Sequence, residues 1–251
     1  MAQPYLSVVI PAYNEEARIA QTLVTMDRHL SGAEYSYEII VADNGSTDGT
    51  AAIVRNMEKI VKNLRLIDGG RGGKGVAVRN GMLQAAGHVR LFADADNSTP
   101  LEQFDAMIPY FKEGYSVVIG SRAVRGAFLD PPEPRFRRIA GKGLNLLVQM
   151  LVLPGVRDSQ CGFKAFTEDA AVAVFEESRI PGWAFDVEIL ALAKRKGYRI
   201  KEMPVRWVND PRSHVRFAAG FHFLAELLKI RLDFWRGSYG PSGLDKGPHS
   251  H

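Results

Sequence analysis

The chain has a single cysteine, Cys161, among its 251 residues. One thiol excludes an intrachain disulfide framework and argues against a metal site built from cysteines. Disulfide-rich domains belong to oxidising compartments, whereas proteins of a reducing compartment do without such bridges. The cysteine count therefore fits a cytoplasmic protein.

Long apolar runs are also missing. A membrane-spanning helix needs roughly 18 to 20 consecutive apolar residues, and one of the longest apolar stretches, 143–156, is broken by Asn145, Gln149 and Pro154. The first ten residues have no basic segment in front of an apolar one, as a secretory signal would. We therefore expect neither a secretory signal nor integral membrane insertion.

The net charge of +4 is modest for this length. It gives little support to a nucleic-acid-binding function, which needs a strongly basic surface. The basic residues are nevertheless concentrated between 122 and 142: Arg122, Arg125, Arg135, Arg137, Arg138 and Lys142. This local excess predicts an anionic partner, either a phosphate or an acidic membrane surface.

Hydrophobic periodicity predicts strands that alternate with helices. We expect strands near 6–12, 37–42, 63–67, 88–93 and 115–120, and helices near 15–30, 47–60, 74–86 and 100–113. Such alternation is typical of an α/β fold with a doubly wound, mostly parallel sheet and flanking helices.

The length suits one large domain, which we expect to span 1–213. An amphipathic helix follows at 214–236. The last segment, 237–251, is rich in Gly, Ser, Pro and His, and we expect it to be a disordered tail.

Two carboxylates, Asp94 and Asp96, directly follow the apolar segment 89–93. Alternation along an extended chain points both in the same direction, and the small Ala95 between them leaves room for a ligand. Hard oxygen ligands suit Mg²⁺ or Mn²⁺, and such an ion would neutralise a departing diphosphate. We therefore predict a divalent metal site at Asp94 and Asp96.

Two other predicted strands also end in polar segments, at 11–16 and 43–50. In an open parallel sheet, ligands bind outside the carboxyl ends of the strands, so the three segments predict a nucleotide site. Asp43 can accept a hydrogen bond from a base. The residues that would wall the same pocket are Pro11, Ala12, Tyr13 and Glu15.

A glycine-rich segment at 69–75 precedes the predicted helix 74–86. Glycine backbone at a helix N-terminus can bind phosphate. The pattern is not a Walker A motif, because Gly75 stands where the hydroxyl residue after Lys74 should be. The missing hydroxyl residue argues against a nucleoside triphosphatase. Because glycine backbone at a helix start can still bind phosphate, Lys74 is a candidate contact to a diphosphate.

In order and spacing, these segments resemble the family 2 glycosyltransferases of the GT-A fold, over about 6–207. The resemblance implies a nucleotide-sugar donor, a nucleotide contact for Ala12, Glu15 and Asp43, and a donor-side position for Lys74. It also makes Asp96 the surer metal ligand. The expected donor-site residues are Pro11, Ala12, Tyr13, Glu15, Asp43, Lys74, Asp94, Ala95 and Asp96.

A fork of arginines, Arg122, Arg137 and Arg138, could clamp an acceptor phosphate bidentately. The segments 137–145 and 158–164 resemble the polyprenyl-phosphate (dolichyl-phosphate type) β-glucosyltransferases. Gly141 departs from the mannosyl-transferring relatives, in which a Ser at this place helps to hold the lipid phosphate. The arginines must then contribute more, or the acceptor differs.

A phosphate acceptor is largely anionic at neutral pH and needs no strong general base. An alcohol acceptor would need one, for which the candidates are Asp158, Asp186 and Glu188. On a helix Asp186 and Glu188 point to different faces, so one of them would cap the helix or pair at the surface. The expected catalytic residues are Asp94, Asp96, Arg122, Asp158 and Asp186.

Two further groups lie near the C-terminus. The resemblance suggests a lid over the donor that includes His214 and Arg216. The segment 217–236 has a helical pattern with a narrow polar stripe, which includes Glu226, and a much wider apolar arc. Such a helix must pack on its own domain, on a second copy in a homodimer, or on a membrane surface.

Together with these resemblances, the motifs predict a metal-dependent, inverting hexosyltransferase. It would move glucose from UDP-glucose onto a polyprenyl phosphate, as a cytoplasmic protein at the inner face of the cytoplasmic membrane. The alternatives are GDP-mannose as donor, a soluble alcohol as acceptor, or a non-catalytic nucleotide-sugar-binding scaffold. No nucleic-acid partner is expected.

Overall fold

A computed structural model describes residues 2–130, 135–208 and 218–240. The strands in these ranges are β1 (Leu6–Ala12), β2 (Tyr37–Asp43), β3 (Leu64–Asp68), β4 (Val89–Ala93), β5 (Val117–Ser121), β6 (Phe128–Asp130), β7 (Phe163–Thr167), β8 (Ile200–Pro204) and β9 (Arg206–Val208). The α-helices are α1 (Ile19–Leu30), α2 (Thr50–Met57), α3 (Lys74–Gln84), α4 (Ile108–Lys112), α5 (Arg135–Leu151), α6 (Glu168–Phe175), α7 (Phe185–Arg195) and α8 (Ala218–Trp235). A short 3₁₀ helix spans Leu101–Phe104.

Seven strands form one sheet in the order β3-β2-β1-β4-β7-β5-β8. All neighbouring pairs are parallel except those of β7, which runs antiparallel to both β4 and β5. Every residue of β1 and β4 is buried, as expected for strands covered on both faces. The predicted α/β fold with a mostly parallel sheet is confirmed, and the five predicted strands agree with β1 to β5 within about two residues.

The two faces of the sheet bury separate apolar clusters. On β1, Val8 and Ile10 contribute to one cluster and Val9 to the other, as the two-residue period of a strand requires. Phe92 on β4 stacks on Phe166 of β7 at 6.5 Å between ring centroids. The sheet is therefore the middle of three layers and holds its strand ends rigidly.

Helix α8 packs on the body of the same chain. Phe223, Leu227 and Ile230 recur at spacings of four and three, and all three are buried in the cluster that contains Phe185. The outer side of the helix exposes Leu228, Leu232 and Trp235. Across residues 2–130, 135–208 and 218–240, no helix has the length and hydropathy needed to span a membrane.

Candidate active site

The loops after β1 and β2 are joined at the carboxyl edge of the sheet. Asn14 has a left-handed backbone (φ 55°), and its side-chain oxygen accepts the Thr47 N–H at 2.8 Å. Its own N–H donates to the Ser46 hydroxyl at 3.0 Å. The parallel register aligns Ala12 with Asp43, so both loops start at the same level. The two strand ends thus form one preorganised wall.

These loops border a cleft of about 860 Å³. The volume lies within the usual range of small-molecule sites. Eight of the nine donor residues expected from the sequence line the cleft: Pro11, Ala12, Tyr13, Glu15, Lys74, Asp94, Ala95 and Asp96. With the rest of the lining, the structure brings five segments together around a single space: 11–18, 44–47, 71–74, 94–96 and 182–183.

Asp43 is the ninth donor residue, and it has a different position. Both of its carboxylate oxygens accept the Ser46 N–H at 3.3 Å, which closes the turn after β2. Asp43 lines a neighbouring, smaller cavity of about 420 Å³ together with Arg55 and Asp68. The main cleft is instead lined here by Asn44. A contact between Asp43 and the base stays a prediction.

The glycine-rich segment fits closely against the loop before α7. Gly73 has a φ of 132°, and a Cβ there would lie 2.4 Å from the Pro181 carbonyl oxygen. A Cβ on Gly75 would lie 2.3 Å from the Ile180 oxygen, and the Gly75 N–H donates to Pro181 at 2.9 Å. Only glycine permits this approach, which fixes Lys74 at the start of α3.

Lys74 lies beside the two strand-end carboxylates. Its Nζ is 2.5 Å from Asp94 Oδ1. Burial by itself lowers the pKa of Lys74, but the charges of Asp94, Asp186 and Asp96 outweigh it and raise the pKa above its usual value. Lys74 therefore carries its positive charge beside these carboxylates in the lining of the cleft.

Asp94 and Asp96 fit a divalent cation by the chemistry of their oxygens. Asp96 forms no ion pair within the described part of the chain, and its Oδ1 accepts the Ser98 N–H at 2.9 Å. Gly162 leaves space for Asp94, because a Cβ there would lie 2.0 Å from Asp94 Oδ2. Within residues 2–130, 135–208 and 218–240 there is no cluster of three or more metal-ligating side chains.

Arg122 and Asp158 form a bidentate pair near the end of β5. Arg122 donates from Nε and Nη2 to the two oxygens of Asp158 at 2.8 and 3.0 Å, and its backbone N–H donates at 2.8 Å. Burial alone raises the pKa of Asp158, but the bonds from Arg122 prevail and the pKa is lowered. A carboxylate with a lowered pKa is a weak base. Asp158 is therefore better suited to hold the Arg122 guanidinium in place than to remove a proton.

Asp186 and Glu188 are both buried, so the expectation that one of them caps α7 or pairs at the surface is wrong. Asp186 accepts the ammonium of Lys164, which is itself fully buried. Glu188 accepts the N–H groups of Arg179 and Ile180, each at 2.9 Å. Every residue of α7 from Phe185 to Ala193 is buried, so both acids lie in the interior although they point to different faces of the helix.

The other predicted acceptor and lid residues cannot be placed in the same detail. Arg137 and Arg138 belong to the first turns of α5, and their side chains lie outside the described part of the structure. His214 and Arg216 lie outside the described residues altogether. Their roles stay predictions.

Several cleft residues were missed in the sequence analysis. Arg18 lines the cleft and forms an ion pair with Glu15. Trp183 also lines it, and the Lys74 ammonium lies 5.7 Å from the centroid of the indole ring. The others are Asn44, Gly45, Ser46, Thr47, Arg71, Gly72, Gly73 and Gly182. A polar or aromatic residue beside a recognised motif was the available signal, but it does not tell which way a side chain points.

Comparison with known proteins shows which family this chain resembles. The sequence profile of glycosyl transferase family 2 matches residues 7–174. A dolichyl-phosphate beta-glucosyltransferase from Dictyostelium discoideum is 35% identical over 247 residues, which cover 93% of this chain and 76% of the relative. The Homo sapiens protein of the same name is 34% identical, with 93% and 77% covered.

A solved structure shares the fold. Glucosyl-3-phosphoglycerate synthase from Mycobacterium tuberculosis, in complex with Mn²⁺, uridine diphosphate and glucosyl-3-phosphoglycerate, superposes with a TM-score of 0.67 at 22% identity. The match covers 90% of this chain and 80% of the synthase. The GT-A fold and the resemblance inferred from the strand-end motifs are thereby confirmed, and the chain belongs to glycosyl transferase family 2.

Proposed function

We propose that this protein transfers glucose from UDP-glucose onto a polyprenyl phosphate, with inversion at the anomeric carbon and with Mg²⁺ or Mn²⁺ at Asp94 and Asp96. The observation that carries the proposal is the cluster of Lys74, Asp94 and Asp96 inside a cleft of about 860 Å³. The oxygens of two carboxylates can hold a divalent cation, and the Lys74 ammonium beside Asp94 can pair with a phosphate oxygen, so the cluster suits a metal-bound diphosphate. The names of the curated relatives support dolichyl phosphate as the model for the acceptor.

The donor would lie along the cleft. Its nucleoside would contact the loops after β1 and β2, and its diphosphate would face Lys74. The divalent cation supplies charge neutralisation to the leaving diphosphate when it is bound. Lys74 would add a second positive charge beside the leaving diphosphate.

An oxygen of the acceptor phosphate would attack the anomeric carbon from the side opposite to the departing UDP. The new carbon–oxygen bond forms as the bond between that carbon and the UDP oxygen breaks, which inverts the configuration. No proton needs to be removed, because the phosphate is largely anionic at neutral pH. The lowered pKa of Asp158 agrees with a site that has no need of a general base.

The acceptor phosphate would lie near Arg122. Asp158 fixes the guanidinium of Arg122 from one side, and Trp207 lies against it at 5.6 Å from the ring centroid. Arg137 and Arg138 on α5 would complete the predicted fork. Arginine suits this task because its planar group can donate to two phosphate oxygens at once.

A lipid acceptor implies contact with a membrane surface. We infer a peripheral, cytoplasmic location at the inner face of the cytoplasmic membrane. Exposed apolar side chains on α5 (Leu146 and Met150) and on α8 (Leu228, Leu232 and Trp235) support it. Membrane contact is preferred to a homodimer, because exposed basic residues, among them Lys142, Lys229 and Arg231, accompany this apolar surface and suit acidic lipids.

The test is a donor and acceptor screen with the purified full chain. Radiolabelled UDP-glucose and GDP-mannose are each offered with a short-chain polyprenyl phosphate or with glycerol as a soluble alcohol, in the presence of Mg²⁺. We expect a glycolipid only from UDP-glucose and the lipid phosphate, and release of glucose from it by mild acid. Transfer from GDP-mannose would contradict the proposed donor, and transfer onto glycerol would contradict the proposed acceptor.

Transfer by an inactive variant and donor binding by the unaltered chain distinguish an enzyme from a non-catalytic scaffold. Asp96→Ala should abolish transfer in the same assay. If the unaltered chain binds UDP-glucose tightly in a calorimeter and turns over none of the acceptors, including a membrane lipid extract, the protein is a nucleotide-sugar-binding scaffold and the proposal fails.

A further inference from the structure

The turn between Pro181 and α7 connects the cleft to the outer helix α8. Glu226 of α8 accepts the Gly182 N–H at 3.1 Å through Oε1 and the Ala184 N–H at 3.0 Å through Oε2. The two bonds bracket Trp183, which lies between the two donors in sequence. Hydrogen bonds to a carboxylate are roughly twice as strong as neutral ones, so one side chain controls the backbone of this turn.

The turn is held from the opposite side as well. The Gly75 N–H donates to Pro181, and Gly73 approaches the same carbonyl too closely for any side chain. On the α8 side, a Cβ on Gly182 would lie 2.2 Å from Glu226 Oε1. The turn is thus clamped between the glycine-rich segment and Glu226.

Trp183 lies on the turn that the glycine-rich segment and Glu226 hold in place. Its side chain, an indole, is 49% exposed and lines the cleft beside Lys74. Lys74 in turn contacts Asp94, so the indole lies at the end of the cleft where the proposed function places the diphosphate. A flat aromatic face there can cover the apolar face of a hexose.

A glutamate at position 226 would be unfavourable if the only role of α8 were to pack against the domain. Its neighbours on the inner face of α8, Phe223, Leu227 and Ile230, are buried and apolar. Glu226 itself is half-buried, and a carboxylate that is partly removed from water needs compensating donors, which here are the two N–H groups of the 182–184 turn.

We propose that Glu226 is a positioning residue of the donor site, which holds Trp183 against the sugar-diphosphate part of the donor. The donor's identity rests on the proposed function. Through this contact α8 is part of the catalytic unit, although it lies far along the chain from the strand-end motifs.

The experiment compares Glu226→Ala, Glu226→Gln and Trp183→Ala in the full chain. Glu226→Ala should raise the Kd for UDP-glucose, measured by calorimetry with Mg²⁺, about tenfold or more, and should speed amide exchange at 182–184. Trp183→Ala should raise the same Kd without faster exchange. Glu226→Gln should fall between wild type and Glu226→Ala, because its amide offers one acceptor for two donors.

The matched control is Glu177→Ala. Glu177 also accepts a backbone N–H, that of Gly240 at 3.0 Å, but it is not among the cleft residues. This control should leave the Kd unchanged. A folded Glu226→Ala protein with wild-type affinity for UDP-glucose would overturn the proposal.

If Glu226→Ala does not fold, Glu226→Gln and Trp183→Ala decide, and wild-type affinity in both would also overturn it. The proposed function is judged separately. Failure of the wild type to transfer sugar would refute the reaction, while the binding and exchange data still report on the clamp.

Discussion

The two sides of the Asp94–Asp96 turn are built differently. On the donor side, loops from parallel strand ends hold one another by short-range bonds such as those between Asn14 and the 46–47 turn. Around the antiparallel strand β7, charge pairs hold the structure instead: the partly exposed Arg122 with the buried Asp158 on the proposed acceptor side, and the buried Lys164 with the buried Asp186.

This difference predicts how substitutions on each side affect activity and stability. A loop bond on the donor side can be lost while its neighbours still hold the turn. Removing one member of a buried pair leaves the other charge uncompensated, which is strongly destabilising. We therefore expect donor-side substitutions to separate activity from stability, and acceptor-side substitutions to change both.

The largest effect should come from Asp96→Ala on the donor side. The metal contribution to a leaving diphosphate is worth several kcal/mol, so transfer should fall roughly a hundredfold or more. Thermal unfolding should shift little, because Asp96 forms one hydrogen bond, to Ser98 N–H, within the described residues. Glucose transfer and Tm are measured on the same preparation.

Asp27→Ala is the control for Asp96→Ala. Asp27 on α1 also accepts a hydrogen bond, that of the Ser31 hydroxyl at 3.4 Å, and it lines neither the main cleft nor the cavity that contains Asp43. It should keep wild-type transfer. Full turnover of metal-stripped Asp96→Ala or wild-type protein in EDTA would remove the metal from the reaction.

The next effect should come from Arg122→Ala on the acceptor side. A charge-assisted hydrogen bond contributes about 1.5–3 kcal/mol, so the acceptor kcat/KM should fall about tenfold to over a hundredfold while the donor KM changes little. Tm should fall too, since Asp158 loses its partner. The measurement is steady-state transfer with each substrate varied in turn.

Arg157→Ala is the matched control, because Arg157 is exposed and adjacent to Asp158. It should behave like wild type. An Arg122→Ala enzyme with unchanged acceptor kinetics would exclude Arg122 from phosphate binding and leave it a structural role.

The same contrast explains what the sequence could predict. The donor side follows from local patterns, since Asp94 and Asp96 directly follow a buried strand and glycines precede Lys74. The pair Arg122–Asp158 spans 36 positions and Lys164–Asp186 spans 22. Periodicity does not reveal that an antiparallel strand enters the sheet between β4 and β5, so these pairs could not be predicted.

Asp43 and α8 show that sequence patterns do not determine the direction of a side chain. A carboxylate at a strand end can face a ligand or close its own turn, and the spacing from Asp43 to Ser46 fits both uses. For α8, the broad apolar arc predicts burial but not which part is buried. The buried residues are Phe223, Leu227 and Ile230, and Glu226 turns inward because the 182–184 turn supplies its donors.

A smaller effect is expected at the outer face of α8. Deleting the helix would also remove the buried Phe223, Leu227 and Ile230, so substitution is the sharper test. Replacing Leu228, Leu232 and Trp235 by Ser should reduce binding to anionic vesicles and lower transfer to a long-chain polyprenyl phosphate severalfold. Transfer to a short-chain analogue should be unchanged. Vesicle sedimentation and transfer assays measure these differences.

A dimer contact would give another result. The triple variant would then change its sedimentation coefficient in the absence of lipid and keep wild-type vesicle binding. The matched control is Val24→Ser, which removes an exposed apolar side chain from α1 instead of α8. It should alter neither vesicle binding nor oligomeric state.

The smallest effect concerns pH and the Arg122–Asp158 pair. Because the folded pKa of Asp158 is lowered, its contribution to stability is present above the unfolded pKa, about 3.9, and is lost as pH falls through the folded pKa. The free energy of unfolding of wild type should therefore exceed that of Asp158→Asn by a constant amount between about pH 5 and 8, and the difference should narrow below about pH 4. Urea unfolding at a series of pH values measures it, with Asp68→Asn as an exposed control. A difference that persists undiminished at the acid end would show that Asp158 stabilises the fold through packing and not through its charge.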